Sequence, residues 1–162
     1  MKTSEAGRDL IKRFESCVLK AYPDPKTGGA PWTCGWGETN GVTADTWWTQ
    51  SEADRRFDKT VEQFENIVHK HVTHDMTQGQ FDAFVSIIFN VGPGNQWKDG
   101  ICRLKDGRPS TLLRKFNAGD IGGAETEWLK WISPGSNVER GLLRRRRAEL
   151  ALFRGEAQCS TS

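Results

Sequence analysis

Glu15, Asp24 and Thr33 follow one another at intervals of nine residues, in the pattern F-E-x8-D-x8-T-C-G-W-G. Two carboxyl groups in different surroundings can hold their protons differently, so that one delivers a proton while its neighbour stays ionised. Such a pair can cleave a glycosidic bond, and the Thr33 hydroxyl could hold a water molecule beside Asp24. The same residues also have a plainer reading. A Glu at the last turn of a helix is usually a solvated surface charge, and an Asp between two prolines is usually a turn residue.

The elements around them sharpen the choice. Ser4 is a suitable N-cap, and Ala6, Leu10, Ile11, Phe14 and Val18 recur at roughly helical spacing to form one apolar stripe. Glu15 lies one turn beyond Ile11 at the edge of that stripe, a partly desolvated setting that suits a general acid. Asp24 sits between Pro23 and Pro25 and ahead of Lys26-Thr27-Gly28-Gly29, a turn composition that keeps it solvated. Short segments at Leu19–Tyr22, Trp32–Trp36 and Gly41–Thr43 predict a small antiparallel sheet.

The remainder predicts helices. Thr49 with Glu52 forms a capping-box pattern ahead of Ala53, Phe57, Val61, Phe64 and Val68 on one face, a long helix joining two lobes. Thr77 with Gln80 repeats the box before Phe81-to-Val91, a run apolar nearly all round that belongs in the middle of a core. Gly92-Pro93-Gly94-Asn95 stops it, and further helices are expected at Ser110–Asn117, Asp120–Ile132 and Val138–Phe153. The fold class is α+β and mainly helical.

The residues Phe14-Glu15, Tyr22-Pro23-Asp24, Trp32-Thr33 and Gly35-Trp36-Gly37 resemble the signature of the phage-type lysozymes, glycoside hydrolase family 24. The resemblance continues in Gln80-to-Ser86 with Phe89-Asn90-Val91-Gly92, in Ser110-to-Asn117, and in Gly141-to-Arg146 with Glu149, which are similar to blocks of the lambdoid endolysin branch. It implies a lysozyme-like fold in a single catalytic domain over 1–162, with a small N-terminal antiparallel β-lobe (about 16–48) packed against a larger helical lobe (about 49–155) that also carries the helix at 4–15. It also implies a muramidase that hydrolyses the β-1,4 bond between N-acetylmuramic acid and N-acetylglucosamine in peptidoglycan, with no cofactor and no metal. Glu15 would be the proton donor, Asp24 would activate or orient the water, and Thr33 would help hold it. Inversion is the implied stereochemistry, which needs the two carboxyls about 6.5–9.5 Å apart.

The chain departs from the family pattern twice. Pro25-to-Pro31 lengthens the loop between Asp24 and Thr33, and Gly35-Trp36-Gly37 is followed by Glu38 where the family commonly has His. Glu38 is therefore a third carboxyl near the site, expected to seek a cation or a hydrogen-bond donor. Trp36, Asn90 and Trp97 are suited to contact sugar, and core packing or capping explains each as well; Trp36, Asn90 and Glu38 are taken as substrate-binding candidates. Trp128 and Trp131, beside Leu129 and Ile132, read as core. His69, His71 and His74 read as surface residues.

At 162 residues and a formal net charge of +2 the chain is one ordinary domain without a global basic field. No apolar run spans a membrane and no signal segment is visible at the N-terminus; the resemblance to endolysins implies residence in the host cytoplasm until release, then in the periplasm and cell wall. Cys17, Cys34, Cys102 and Cys159 form no metal-ligand pattern, and a cytoplasmic start favours free thiols. Peptidoglycan is the expected partner of a monomer, and no nucleic acid. Arg144–Arg147 with Arg140 and Arg154 reads as a solvated face opposite Leu142, Leu143, Leu150 and Phe153, with room for weak contact with an anionic envelope. Two alternatives stay open: a lytic transglycosylase acting on the same bond, and a cationic membrane- or wall-binding protein with little hydrolysis.

Overall fold

Short polar side chains start most of the helices. The computed structural model describes residues 1–156, in the order α1 (Glu5–Phe14), β1 (Val18–Tyr22), β2 (Thr33–Gly35), α2 (Gln50–His71), α3 (Gln78–Val91), α4 (Thr111–Asn117), α5 (Ile121–Trp128) and α6 (Glu139–Phe153). Cys159 lies outside the described residues. Ser4 Oγ accepts the Gly7 N–H at 3.2 Å and Ser110 Oγ that of Leu113 at 3.2 Å. Asp120 Oδ1 accepts the Gly123 N–H at 2.9 Å. Each satisfies one of the amide donors that a helix leaves free in its first turn. Thr77 and Gln80 close the complete capping box, with bonds of 3.2 and 2.9 Å. At α2 only half of the expected box forms. Thr49 Oγ1 accepts the Glu52 N–H at 3.2 Å, but both carboxylate oxygens of Glu52 are engaged by Arg55 and Arg56 at 2.6–2.9 Å, because charge-assisted bonds are stronger than one to a neutral amide.

The chain forms two compact units: Ile11–Gln63, and Met1–Leu10 with the chain from Phe64 onward, the boundaries falling inside α1 and α2. In the larger unit α3 is buried on all sides from Phe81 to Ile88, as its all-round apolar composition requires. Rings from four helices pack edge to face: Phe84 lies 4.8 Å from Phe116 and 5.0 Å from Trp128, and Phe153 lies 5.8 and 5.4 Å from the same two. α5 stops at Trp128, short of the expected Ile132. Trp128 is core, but Trp131 is half-buried and lines a cavity of about 460 Å³ with Asn90, Lys98, Asp99 and Lys130.

The basic run on α6 is not the solvated face its composition predicts. Arg145 and Arg146 are buried around Glu149, which has no exposure at all. Glu149 accepts from Ser86 Oγ at 2.7 Å, Trp128 Nε1 at 2.9 Å and Arg145 Nε at 3.3 Å, and pairs with Arg146 Nη1 at 3.2 Å. Three hydrogen-bond donors and a second guanidinium, drawn from three helices, converge on one carboxylate. Burial pulls the Arg146 guanidinium down to about 10 against the support of Glu149. Removing Glu149 would take the carboxylate away from two buried guanidiniums. Glu149→Ala is expected to cost about 3–5 kcal/mol, read as a lower urea midpoint, whereas Arg147→Ala on the exposed face should change stability by less than about 0.5 kcal/mol.

Two buried carboxylates also anchor the N-terminus of that unit. Glu65 accepts the Thr3 N–H at 2.8 Å, and Asp82 accepts the Ser4 N–H at 3.0 Å and bonds the Ser4 hydroxyl. Gly7 is what allows this approach inside a helix. A Cβ there would lie 2.7 Å from Asp82 Cγ and 2.8 Å from Thr3 Cγ2.

Candidate active site

Five of the six candidate residues, Glu15, Asp24, Thr33, Trp36 and Glu38, lie in the unit Ile11–Gln63. Asn90 belongs to the other unit, on α3, where its Oδ1 accepts from Arg146. In the smaller unit the frame is β1. On one edge it pairs antiparallel with β2, Val18 opposite Gly35 and Tyr22 opposite Thr33, with a bulge between. On its other edge runs the segment Thr46–Trp48, joined through Ala21 N–H to Thr46 O at 3.0 Å and Trp48 N–H to Leu19 O at 2.9 Å. This third segment falls after the expected Gly41–Thr43. Gly41 has φ +70°, Val42 bonds back to Thr39 O at 3.3 Å, and the Thr46 hydroxyl accepts the Thr43 N–H at 2.9 Å, so residues 39–46 turn and the aromatic pair behind them enters the ladder.

The ladder assigns the candidates their places. Glu15 immediately follows α1, its N–H still bonded to Ile11 O at 3.1 Å, and it is half-buried. Thr33 opens β2 opposite Tyr22, two residues from Asp24. Asp24 begins the connecting loop. Its N–H bonds Gly29 O at 2.9 Å, its carbonyl accepts from Gly28 N–H at 2.8 Å, and its Oδ1 accepts the Lys26 N–H at 2.8 Å. This Asp-initiated turn leaves Asp24 half-buried and ties one carboxylate oxygen to its own loop.

After Thr33 the chain reverses tightly, with Cys34 and Glu38 exchanging two backbone bonds of 3.0 Å. Gly35 and Gly37 take φ +66° and +104°, conformations that L side chains rarely adopt. A Cβ at Gly35 would also lie 2.7 Å from Glu38 Oε2 and 3.0 Å from the Trp48 ring, and one at Gly37 would lie 4.0 Å from Glu15 Oε2. The reversal thus brings bare backbone up to Glu15.

Trp36 at its tip is held by its polar edge. Nε1–H donates to Asp54 Oδ1 at 2.8 Å, the ring lies 5.9 Å from that of Phe57, and Lys12 Nζ sits 5.1 Å from its centroid. The Trp36 indole, with Gln50 and Lys12, holds the Asp54 carboxyl below the usual carboxylate range despite some burial. Lys12, Gln50, Asp54 and Arg56 were not singled out from the sequence. The available signal was the spacing of Gln50 with Asp54 and of Glu52 with Arg56, one turn apart on α2.

Glu38 finds the donor its position calls for, but a backbone one: Oε2 accepts the Trp36 N–H at 3.0 Å. Oε1 is buried without a hydrogen-bond partner among the described residues. Burial raises the Glu38 carboxyl above its ordinary 4.5, helped by the neighbouring Glu15 and opposed by its own and the Trp36 N–H and by Arg56.

Cys34 is a packing residue. It is buried with Ala21 and Trp48, its Sγ lies 3.5 Å from the Val18 and Leu19 carbonyls, and burial pushes its thiol up. Cys17, Cys34 and Cys102 are free thiols. Among the described residues no group of His, Cys, Asp and Glu has the makings of a metal site, and no helix is long and apolar enough to cross a membrane.

Residues 12–149 match the phage lysozyme family model. The chain belongs to the phage lysozyme family. An endolysin of Acyrthosiphon pisum secondary endosymbiont phage 1 is 35% identical, the match covering 94% of this chain and 98% of that protein. An endolysin of Bacillus phage B103 is 38% identical across 94% of this chain, which spans only 54% of that longer relative. Among solved structures, the muramidase domain of SpmX from Asticaccaulis excentricus superposes with a TM-score of 0.75 at 30% identity, covering 94% of this chain and 97% of that one. This phage lysozyme family member is thus a lysozyme-like α+β protein of the endolysin type, a muramidase-class glycoside hydrolase of a family that acts on peptidoglycan.

Two measurements check this geometry. A carboxyl whose folded-state pKa is raised contributes stability that is fully present below its unfolded value and is lost as pH rises through the folded one. Glu38→Gln, always neutral and still able to accept from Trp36, is therefore expected to gain stability relative to the wild type at about pH 8 compared with about pH 4, read as melting temperatures across that range. Alkylation of the native protein, read by mass spectrometry, should spare Cys34 and Cys102 until the chain unfolds. Both are buried, and the Cys102 thiol is pushed up to about 11.

Proposed function

We propose that the chain acts as a single catalytic domain that hydrolyses the β-1,4 bond between N-acetylmuramic acid and N-acetylglucosamine, with inversion. Glu15 is the general acid. Asp24 orients and activates the attacking water, and Thr33 helps hold it. The observation that carries this reading is the Tyr22–Thr33 pair: it sets Thr33 across the ladder from the strand end that leads into Asp24, while the glycine reversal after Thr33 returns to Glu15. Protonated Glu15 gives its proton to the glycosidic oxygen as the bond to the anomeric carbon breaks. The water attacks that carbon from the opposite face and gives its proton to Asp24. No cofactor enters the reaction.

Glu38 supports the reversal by holding the Trp36 amide, and Trp36 and Asn90 serve as substrate contacts. The protein works as a monomer, without nucleic acid, in the host cytoplasm until release and then at the cell wall. Weak contact with an anionic envelope falls to Arg140, Arg144 and Arg147, the arginines of the α6 run that stay exposed.

Purified peptidoglycan tests the reading. Wild type should release new reducing ends, and Glu15→Gln should lose about 10²–10⁴-fold of that rate with an unchanged melting temperature. Anhydro-sugar ends in place of reducing ends would make the enzyme a lytic transglycosylase, and lysis undiminished in Glu15→Gln would shift the role to a cationic surface.

A further inference from the structure

Strand periodicity decides which side chains leave the small sheet. Along β1 Ala21 is buried while Lys20 and Tyr22 on either side of it are exposed, because successive residues point to opposite faces. The edge segment behaves alike. Trp48 turns inward against Ala21 and Cys34, with the Arg56 guanidinium 4.3 Å from its ring centroid, and its neighbour Trp47 is left pointing out, 65% exposed. Lys20 stands opposite Trp47, and Tyr22, 40% exposed, stands opposite Thr33.

Residues paired across a ladder share a face. Thr33, Tyr22, Lys20 and Trp47 therefore form one band across three chain segments, two strand spacings of about 4.8 Å wide. An isolated exposed aromatic needs no explanation, but two of them flanking a lysine, in line with a candidate catalytic hydroxyl, make a patterned surface.

We propose that this band is an accessory binding surface for a glycan strand of peptidoglycan, continuous with the candidate active site. Trp47 and Tyr22 present flat faces to the C–H faces of sugar rings, and Lys20 meets a carboxylate on the lactyl or peptide substituents of the strand. The occupant follows from this complementarity and from continuity, since a strand lying across Trp47 and Tyr22 reaches Thr33. The inference rests on the reading above that Thr33 lies beside the reacting bond. Its consequence is a preference for polymeric strands over short fragments.

Glu15→Gln, which binds without turnover, provides the test by co-sedimentation with purified peptidoglycan sacculi. Adding Trp47→Ala is expected to weaken binding about tenfold, the usual loss for an aromatic anchor. Trp47→Phe should restore most of it, and Lys20→Gln should flatten its salt dependence. Melting temperatures of all variants verify the fold.

Binding by the Trp47→Ala protein within twofold of its parent would overturn the proposal. So would a Trp47→Ala effect confined to vesicles of phosphatidylglycerol and phosphatidylethanolamine, which would make the band a lipid-facing surface. Failure of the Glu15→Gln protein to sediment with sacculi would overturn it too. In that case, reducing-end release by the wild type still decides the catalytic reading separately.

Discussion

The small unit depends on one five-residue strand that is hydrogen-bonded along both edges. β1 takes β2 on one side and Thr46–Trp48 on the other, so Leu19 and Ala21 have backbone partners in the edge segment while Val18 and Tyr22 are matched to β2. With so little sheet, backbone pairing has to locate the side chains, and it does so in two directions. The inward set, Ala21, Cys34 and Trp48, makes a small core with Trp32 and Val42 packed against it. The outward set carries the polar and aromatic groups. A two-stranded hairpin alone is marginal in water, and the third segment together with this core supplies what a hairpin lacks.

The glycine reversal after Thr33 follows from the same economy. Its two positive-φ positions let three residues, Gly35 to Gly37, return the chain within one pair of backbone bonds, and the missing Cβ atoms leave space that the Glu38 carboxylate, the Trp48 ring and the Glu15 carboxylate approach. The tip is then secured from α2, where Asp54 takes the indole N–H of Trp36. Side chains one turn apart on that helix act on different targets: Gln50 and Asp54 serve the tip, and Glu52 draws in Arg55 and Arg56.

Much of this was legible in advance. The caps at Ser4 and Thr77 were readable because a hydroxyl ahead of a periodic apolar run has one dominant local use, and the helix starts expected at Ser110 and Asp120 prove to be the capping residues. The all-round apolar α3 and the α+β class followed from periodicity, and the motif around Glu15, Asp24 and Thr33 marked the family. What could not be read was tertiary in origin. The Arg145-Arg146 pair looks like any solvated basic run until Ser86, Trp128 and Glu149 surround it. The third sheet segment was misplaced because Gly41–Thr43 and Thr46–Trp48 both have extended-chain composition, and only the Thr43–Thr46 turn separates them. Half of the Thr49 box failed because two arginines compete for Glu52, an outcome that the four-residue pattern does not contain.

The Tyr22–Thr33 pair has a consequence for how such chains vary. It pins both ends of the loop that holds Asp24, so residues added between Pro25 and Pro31 extend away from fixed ends without displacing them. Closing a longer flexible loop is inexpensive, about 0.6 kcal/mol for each doubling of its length. The interval between Asp24 and Thr33 therefore records loop length and carries little information about site geometry. Insertions and deletions can accumulate there at small energetic penalty, and the position of Thr33 is inherited from the ladder whatever their number.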